Sequence, residues 1–92
     1  MNSQRRKDIQ KLVTELDDLD FEGKLEDIKS GFEAARDDEQ EYFDNMPEGL
    51  QGSEKGERAE SAVSALGEII AKLEEMIEAL GEIQGYADTA TE

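Results

Sequence analysis

The chain contains no cysteine, no histidine and no tryptophan among its 92 residues, and only one proline. Without cysteine, disulfides and thiolate metal sites are excluded; without histidine, the commonest general base is missing. No apolar run approaches the roughly 20 residues that a membrane-spanning helix needs. The basic start is not followed by the apolar segment of a signal peptide, so we expect a cytoplasmic protein with no membrane partner.

Negative charge dominates the composition, with a formal net charge of −15. Such a surface repels phosphate, so direct binding to nucleic acid is not expected. The start of the chain is the exception, because Arg5, Arg6, Lys7 and Lys11 are accompanied only by Asp8. We interpret Arg5, Arg6 and Lys7 as candidates for contact with an anion or with an acidic neighbouring subunit. The alternative is a solvated helix start.

Apolar residues recur at helical spacing in three segments of what we take to be a single helical domain, residues 1–92. The expected elements are helices at about 4–20, 24–44 and 54–84, a loop at 45–53 and a frayed tail at 86–92. Pro47 ends the second helix because it lacks an amide donor and restricts the residue before it. Gly23 favours a break between the first two helices over one continuous helix.

The third predicted helix has the broadest apolar surface. Its apolar residues step by three and four from Ala59 to Ile83, and Val63, Ile70 and Ile77 add a third column. Such a face is too wide for one chain to cover. We therefore predict an all-α fold: an antiparallel helical hairpin with an additional N-terminal helix segment, assembled as a homodimer or larger coiled-coil-like bundle. The residues predicted to mediate self-association are Leu66, Ile69, Ile70, Leu73, Met76, Ile77 and Leu80.

Residues 39–60 resemble a known protein family. The residues that carry the resemblance are EQEYFDNMPE at 39–48, LQ at 50–51, SEKGE at 53–57 and AE at 59–60. This pattern is similar to that of small acidic helical-hairpin proteins of phages and prophages. The resemblance implies a helix–loop–helix and a phage or prophage setting, in which the protein would act in the host cytoplasm. It implies no particular activity.

The predicted loop is the leading candidate for a partner site, because a turn gathers apolar and polar side chains there. The alternative is that its aromatic residues close the end of the bundle while Asn45 caps the turn. The candidate residues are Tyr42, Phe43, Asp44, Asn45, Met46 and Leu50.

Catalytic and metal sites are not expected. Paired carboxylates such as Asp37 and Asp38 fall among polar neighbours on predicted outer faces, without the burial that a working acid or base needs. Asp18, Asp20 and Glu22 match the first ligand positions of a calcium-binding EF-hand loop, but Lys29 stands where a bidentate Glu is required. We therefore expect no enzyme activity, no cofactor and no metal.

The resulting interpretation is a non-catalytic protein–protein interaction module. We expect it to bind or inhibit a host or defence protein through its acidic helix faces and the loop at 42–53. Two alternatives remain open. Rows of carboxylates could imitate nucleic-acid phosphates and occupy a DNA- or RNA-binding groove. An oligomer could instead sequester a small anion or nucleotide with the basic residues at its subunit junctions.

Overall fold

A computed structural model describes residues 3–92, and over these residues the secondary structure consists of helices and turns. The elements in chain order are α1 Ser3–Asp18, α2 Phe21–Asp44, α3 Glu48–Gln51 and α4 Glu54–Ala90. The prediction of an all-α fold is confirmed. None of the helices described over 3–92 combines the length and the apolar character needed to cross a bilayer.

α4 is longer than predicted. It continues to Ala90, past the end expected at about 84, so most of 86–92 is helical instead of a frayed tail. Two hydroxyls stabilise this end, because Thr89 donates to the carbonyl oxygen of Gly85 and Thr91 donates to that of Ala87. Ala87 is also partly covered. Packing and local hydrogen bonds therefore offset the weak helix propensity that the sequence shows in this segment.

The rest of the chain packs along α4. Lys29 Nζ on α2 lies 3.6 Å from Glu74 Oε1, and Arg6 on α1 donates to the carbonyl oxygen of Glu92 at 2.9 Å. Because the residue number falls on one side as it rises on the other, the two sides run antiparallel. We call α1 and α2 the first arm and α4 the second arm. Together they form a body of 69 × 17 × 14 Å.

A break at Leu19–Asp20 separates α1 from α2, at the N-terminal edge of the interruption that the sequence predicts. Asp20 has φ 52° and ψ 40°, in the left-handed region that Asp tolerates better than most non-glycine residues. A Cβ at Gly23 would lie 2.6 Å from Asp20 Oδ1, so glycine leaves room for that carboxylate. The break changes the helical phase, and the apolar stripes of α1 and α2 consequently both contact α4.

The contact between the arms is a narrow seam. Partly or fully covered residues recur every three or four positions, which we label a and d in heptad notation; the first a residues of α1, α2 and α4 among them are Arg6, Lys29 and Gly56. On α4 they are Gly56, Ala59, Val63, Leu66, Ile70, Leu73, Ile77, Leu80, Gln84, Ala87 and Thr91. On the first arm they are Arg6, Ile9, Val13, Leu16, Leu25, Lys29, Phe32, Arg36, Glu39, Phe43 and Met46. Among hydrophobic residues of 3–92, only Met46, Ala59 and Ile70 are buried, so the core is thin.

α3 turns the chain by packing its backbone against the start of α4. A Cβ at Gly56 would overlap the carbonyl oxygen of Gln51, so no larger residue fits at this buried position. The Gln51 side chain donates from Nε2 to the carbonyl oxygen of Phe43 at 3.2 Å, which ties α3 to the end of α2. Gly56 therefore sets how closely α3 can approach α4.

We predict that Gly56→Ala lowers the free energy of unfolding by about 1–3 kcal/mol, because the added methyl group forces α3 away from α4. Gly67→Ala is the matched control, since it lies in the same helix and a Cβ there meets no atom within 4 Å. The control should instead raise stability by about 0.5–1 kcal/mol, because alanine favours helix. Urea unfolding followed by circular dichroism measures both. Equal changes would contradict the close approach at Gly56.

Candidate interaction surface

Large exposed apolar side chains are concentrated on one flank of the molecule. In the heptad notation of the seam, position g directly precedes a, and position e directly follows d. Within 3–92, ten large hydrophobic residues are exposed, and eight of them occupy g positions. These eight are Leu12, Leu19, Phe21, Ile28, Tyr42, Ile69, Met76 and Ile83. The other two are Leu50 in α3 and Tyr86 on the outer side of α4.

The g positions of the two arms lie on the same side of the seam. Lys55, a g residue of α4, places its Nζ 5.9 Å from the ring centroid of Tyr42, a g residue of α2. The e positions meet in the same way on the opposite side, where Gln10 of α1 and Asp88 of α4 line one groove. By heptad position, the eight exposed residues, with Ala35 and Ala62, therefore fall in one strip on the same side of the seam, which we call the apolar flank.

The apolar flank excludes carboxylates. The chain has 25 Asp and Glu residues, yet none of them occupies a g position between Arg5 and Ala90. The charged side chains at g positions are Arg5 and Lys55, which stand at opposite ends of the flank. In so acidic a chain, a carboxylate-free strip along both arms is a specific arrangement, because evenly distributed acids would interrupt it several times.

The opposite side, formed by the e positions, is acidic and contains no large apolar side chain. We call it the acidic flank; its carboxylates are Asp17, Glu26, Glu33, Glu60, Glu74 and Asp88. One of these is partly compensated, since Lys29 reaches Glu74 from the seam. Two grooves open on this flank. One of about 240 Å³ includes Gln10 and Asp88; the other, of about 150 Å³, lies at the break between α1 and α2 and is lined by Asp17 and Gly81 together with Phe21 of the apolar flank.

Some residues of the predicted loop site line a surface groove, whereas others are covered at the end of the seam. A shallow groove of about 320 Å³ is lined by Tyr42, Asn45, Met46, Pro47, Leu50 and Lys55. Met46 is buried and Phe43 partly covered, so these two close the end of the seam. Asp44 is exposed and accepts a hydrogen bond from Gln40 Nε2 at 2.9 Å. Tyr42, Asn45 and Leu50 are the predicted loop residues that remain accessible beside the groove.

The residues predicted to mediate self-association are also divided. Five of them, Leu66, Ile70, Leu73, Ile77 and Leu80, lie in the seam against the first arm of the same chain. Only Ile69 and Met76 belong to the apolar flank, where Ile83 continues their heptad column. The sequence shows three apolar columns on this helix. The chain itself covers two of them and leaves the third exposed.

The basic start lies beside the C-terminal end of α4. Arg6 occupies a seam position and donates from Nη2 to the carbonyl oxygen of Glu92. A cation stabilises a helix C-terminus, whereas the same cation opposes the dipole at the start of its own helix. Lys7 is exposed, and Arg5 stands at the end of the apolar flank. The antiparallel arrangement therefore accounts for Arg6, a role that sequence reasoning missed because it needed the partner helix.

A metal-binding loop is not formed at the EF-hand-like segment. Phe21 begins α2, and the following residues through Lys29 are helical, so they cannot wrap around an ion as a loop does. Over residues 3–92, no group of three or more ligating side chains is placed to hold a metal ion.

No protein-family model, curated protein or solved structure matches this chain. The resemblance of residues 39–60 to acidic phage proteins therefore stays an expectation. The two flanks are interpreted from their own geometry and charge.

Neighbouring isoleucines test the assignment of seam and flank. Ile70 is 4% exposed and Ile69 is 38% exposed. Ile70→Ala should lower the free energy of unfolding by about 2–5 kcal/mol, because it leaves a cavity in the seam. Ile69→Ala should cost a single chain less than about 1 kcal/mol. Urea unfolding at concentrations where the protein sediments as one chain measures both, and equal losses would refute the register.

Proposed function

We propose that this chain is a non-catalytic protein-interaction module that pairs with a second copy through the apolar flank and presents its acidic flank to a basic protein partner. The observation that carries the proposal is that the apolar flank has no carboxylate, whereas the opposite flank has six carboxylates and no large apolar side chain. In this proposal the arms are a helical hairpin, and two hairpins form a four-helix bundle. Helices buried in such bundles carry apolar residues at a, d and one flanking position, the pattern found here.

The need for a second copy follows from the thinness of the core. A chain of this length buries a smaller fraction of its surface than a larger domain does, and its seam contains polar residues such as Lys29 and Glu39. The flank residues Leu12, Ile28 and Met76 are still 63%, 50% and 51% exposed. Complete burial of such a side chain contributes about 1.5–3 kcal/mol, so covering the flank adds substantially to a small core.

Charge placement is compatible with pairing. Each copy carries −15, so two copies repel one another at a distance. The surface that would become dry has no carboxylate at its g positions, so no acid is desolvated there. Added salt screens the remaining repulsion while leaving the apolar contact intact. Self-association through this flank should therefore strengthen with ionic strength, whereas an assembly held by ion pairs would weaken.

We predict that the protein sediments as a dimer and that Met76→Glu shifts it to the single chain at the same concentration. The matched control is Ala79→Glu, which adds the same charge at an exposed position of the same helix outside the flank. Sedimentation equilibrium at about 0.05 M and 0.5 M salt should show tighter pairing at the higher salt, where the screening length is shorter. A wild-type protein that remains a single chain over the whole concentration range would end the proposal.

The acidic flank is the surface proposed for a partner. When the apolar flanks face each other, the acidic flanks face outward on both sides of the bundle. Each offers carboxylates from both arms and grooves at Asp17 and Asp88 that suit Lys and Arg side chains. If the phage setting implied by residues 39–60 holds, the partner is a basic host or defence protein.

Capture from a host lysate with matched baits tests this part of the proposal. Glu26→Gln, Glu33→Gln and Glu60→Gln together remove three carboxylates from the acidic flank. The control is Glu68→Gln, Glu78→Gln and Glu82→Gln, which makes the same charge change at exposed positions outside it. The first bait should lose a basic protein that wild type and control retain, and salt should release that protein from both. Equal recovery on all three baits would count against the acidic flank.

A further inference from the structure

We infer that the two copies pair with their loops at opposite ends, so that the basic start of each copy lies against the loop end of the other. This inference rests on the proposed pairing through the apolar flank and adds its direction. Two-fold symmetry allows two arrangements of elongated partners. In one, the first arms stack on each other and the loops are far apart. In the other, each first arm stacks on the partner's second arm and the loops are adjacent.

Side-chain packing alone does not distinguish the two arrangements. With the loops at opposite ends, Leu12 lies over the partner's Ala35, and Ile83 lies over the partner's Ala62. With the loops at the same end, the flank residues of each first arm lie over those of the partner's α4, again in heptad rows. Large side chains meet small ones often enough in either case to fill the interface. The direction must therefore come from charge.

The two ends of the molecule differ strongly in charge. Around the loop, residues 37–58 contain eight carboxylates and two cations, a net charge of −6. At the other end, residues 3–11 carry +3 and residues 82–92 carry −3 from Glu82, Asp88 and Glu92, so their side-chain charges balance. Pairing with the loops together places two strongly acidic ends side by side. Pairing with the loops apart places each acidic end beside a neutral one.

The local charges favour the same direction. When the first arms stack in opposite directions, residues 3–11 lie beside the partner's residues 37–44. The second segment carries five carboxylates and no cation: Asp37, Asp38, Glu39, Glu41 and Asp44. Arg5, at the end of the apolar flank, then lies near the partner's Tyr42 and Glu41. On the other arm, Lys55 approaches the C-terminal end of the partner's α4, where a cation is favourable.

Pulsed dipolar spectroscopy on single-cysteine variants measures the direction. The chain has no cysteine, so one label is introduced at a time. Gly52→Cys places a spin label at the loop, and Gly85→Cys places one near the far end of α4; at both positions a Cβ meets no atom within 4 Å. Because α4 alone is about 55 Å long, labels at Gly52→Cys should lie more than about 50 Å apart in the inferred dimer.

A mixed sample supplies the complementary distance. Dimers formed from one Gly52→Cys chain and one Gly85→Cys chain should show a distance below about 35 Å, because the two positions lie within a few helical turns and one or two helix diameters. A short distance within the Gly52→Cys sample would overturn the inferred direction while leaving the pairing intact. Labelled protein that sediments as a single chain and shows no dipolar interaction would overturn the proposed pairing itself.

Discussion

The main constraint on the structure is that one chain cannot cover the whole apolar surface of its long helix α4. α4 carries three apolar columns, and the first arm can cover only the two that face it. This constraint leaves the seam thin and the third column, at Ile69, Met76 and Ile83, exposed. A thin core is tolerable in an elongated molecule because each turn of helix contacts its neighbour locally. It also makes association the most direct source of further stability.

Much of the fold could be predicted from sequence, because helical periodicity and Pro47 mark the helices without reference to tertiary contacts. Which of the apolar columns face the first arm could not be predicted. On α4 the column that contains Ile69 is as apolar as the column that contains Ile70, so the two residues cannot be distinguished until the position of the first arm is known. The end of α4 was missed for a related reason. Gly85 weakens the helix locally, but contacts with α1 and the hydroxyl of Thr91 extend it.

For the candidate surface, too, the sequence shows the local features but not those that depend on how the helices pack. The acidic character of the chain and the basic start are plain in the sequence. That acids and apolar residues lie on opposite flanks depends on two facts: the antiparallel direction of the arms and the phase change at Asp20. In a continuous helix, Leu19 and Phe21 would not both belong to the strip that continues through Ile28. The break at Leu19–Asp20, with Asp20 in the left-handed region, therefore sets which residues of α1 and α2 share a side of the seam.

The elongated shape has a practical consequence for how the protein migrates. Its radius of gyration is 20.6 Å, whereas a compact domain of this length would have about 12 Å. A rod of this kind elutes early from a size-exclusion column calibrated with globular standards. A single chain would thus resemble a globular protein of considerably greater mass. Elution volume alone is therefore a misleading guide to stoichiometry for this molecule, whereas light scattering reports mass independently of shape.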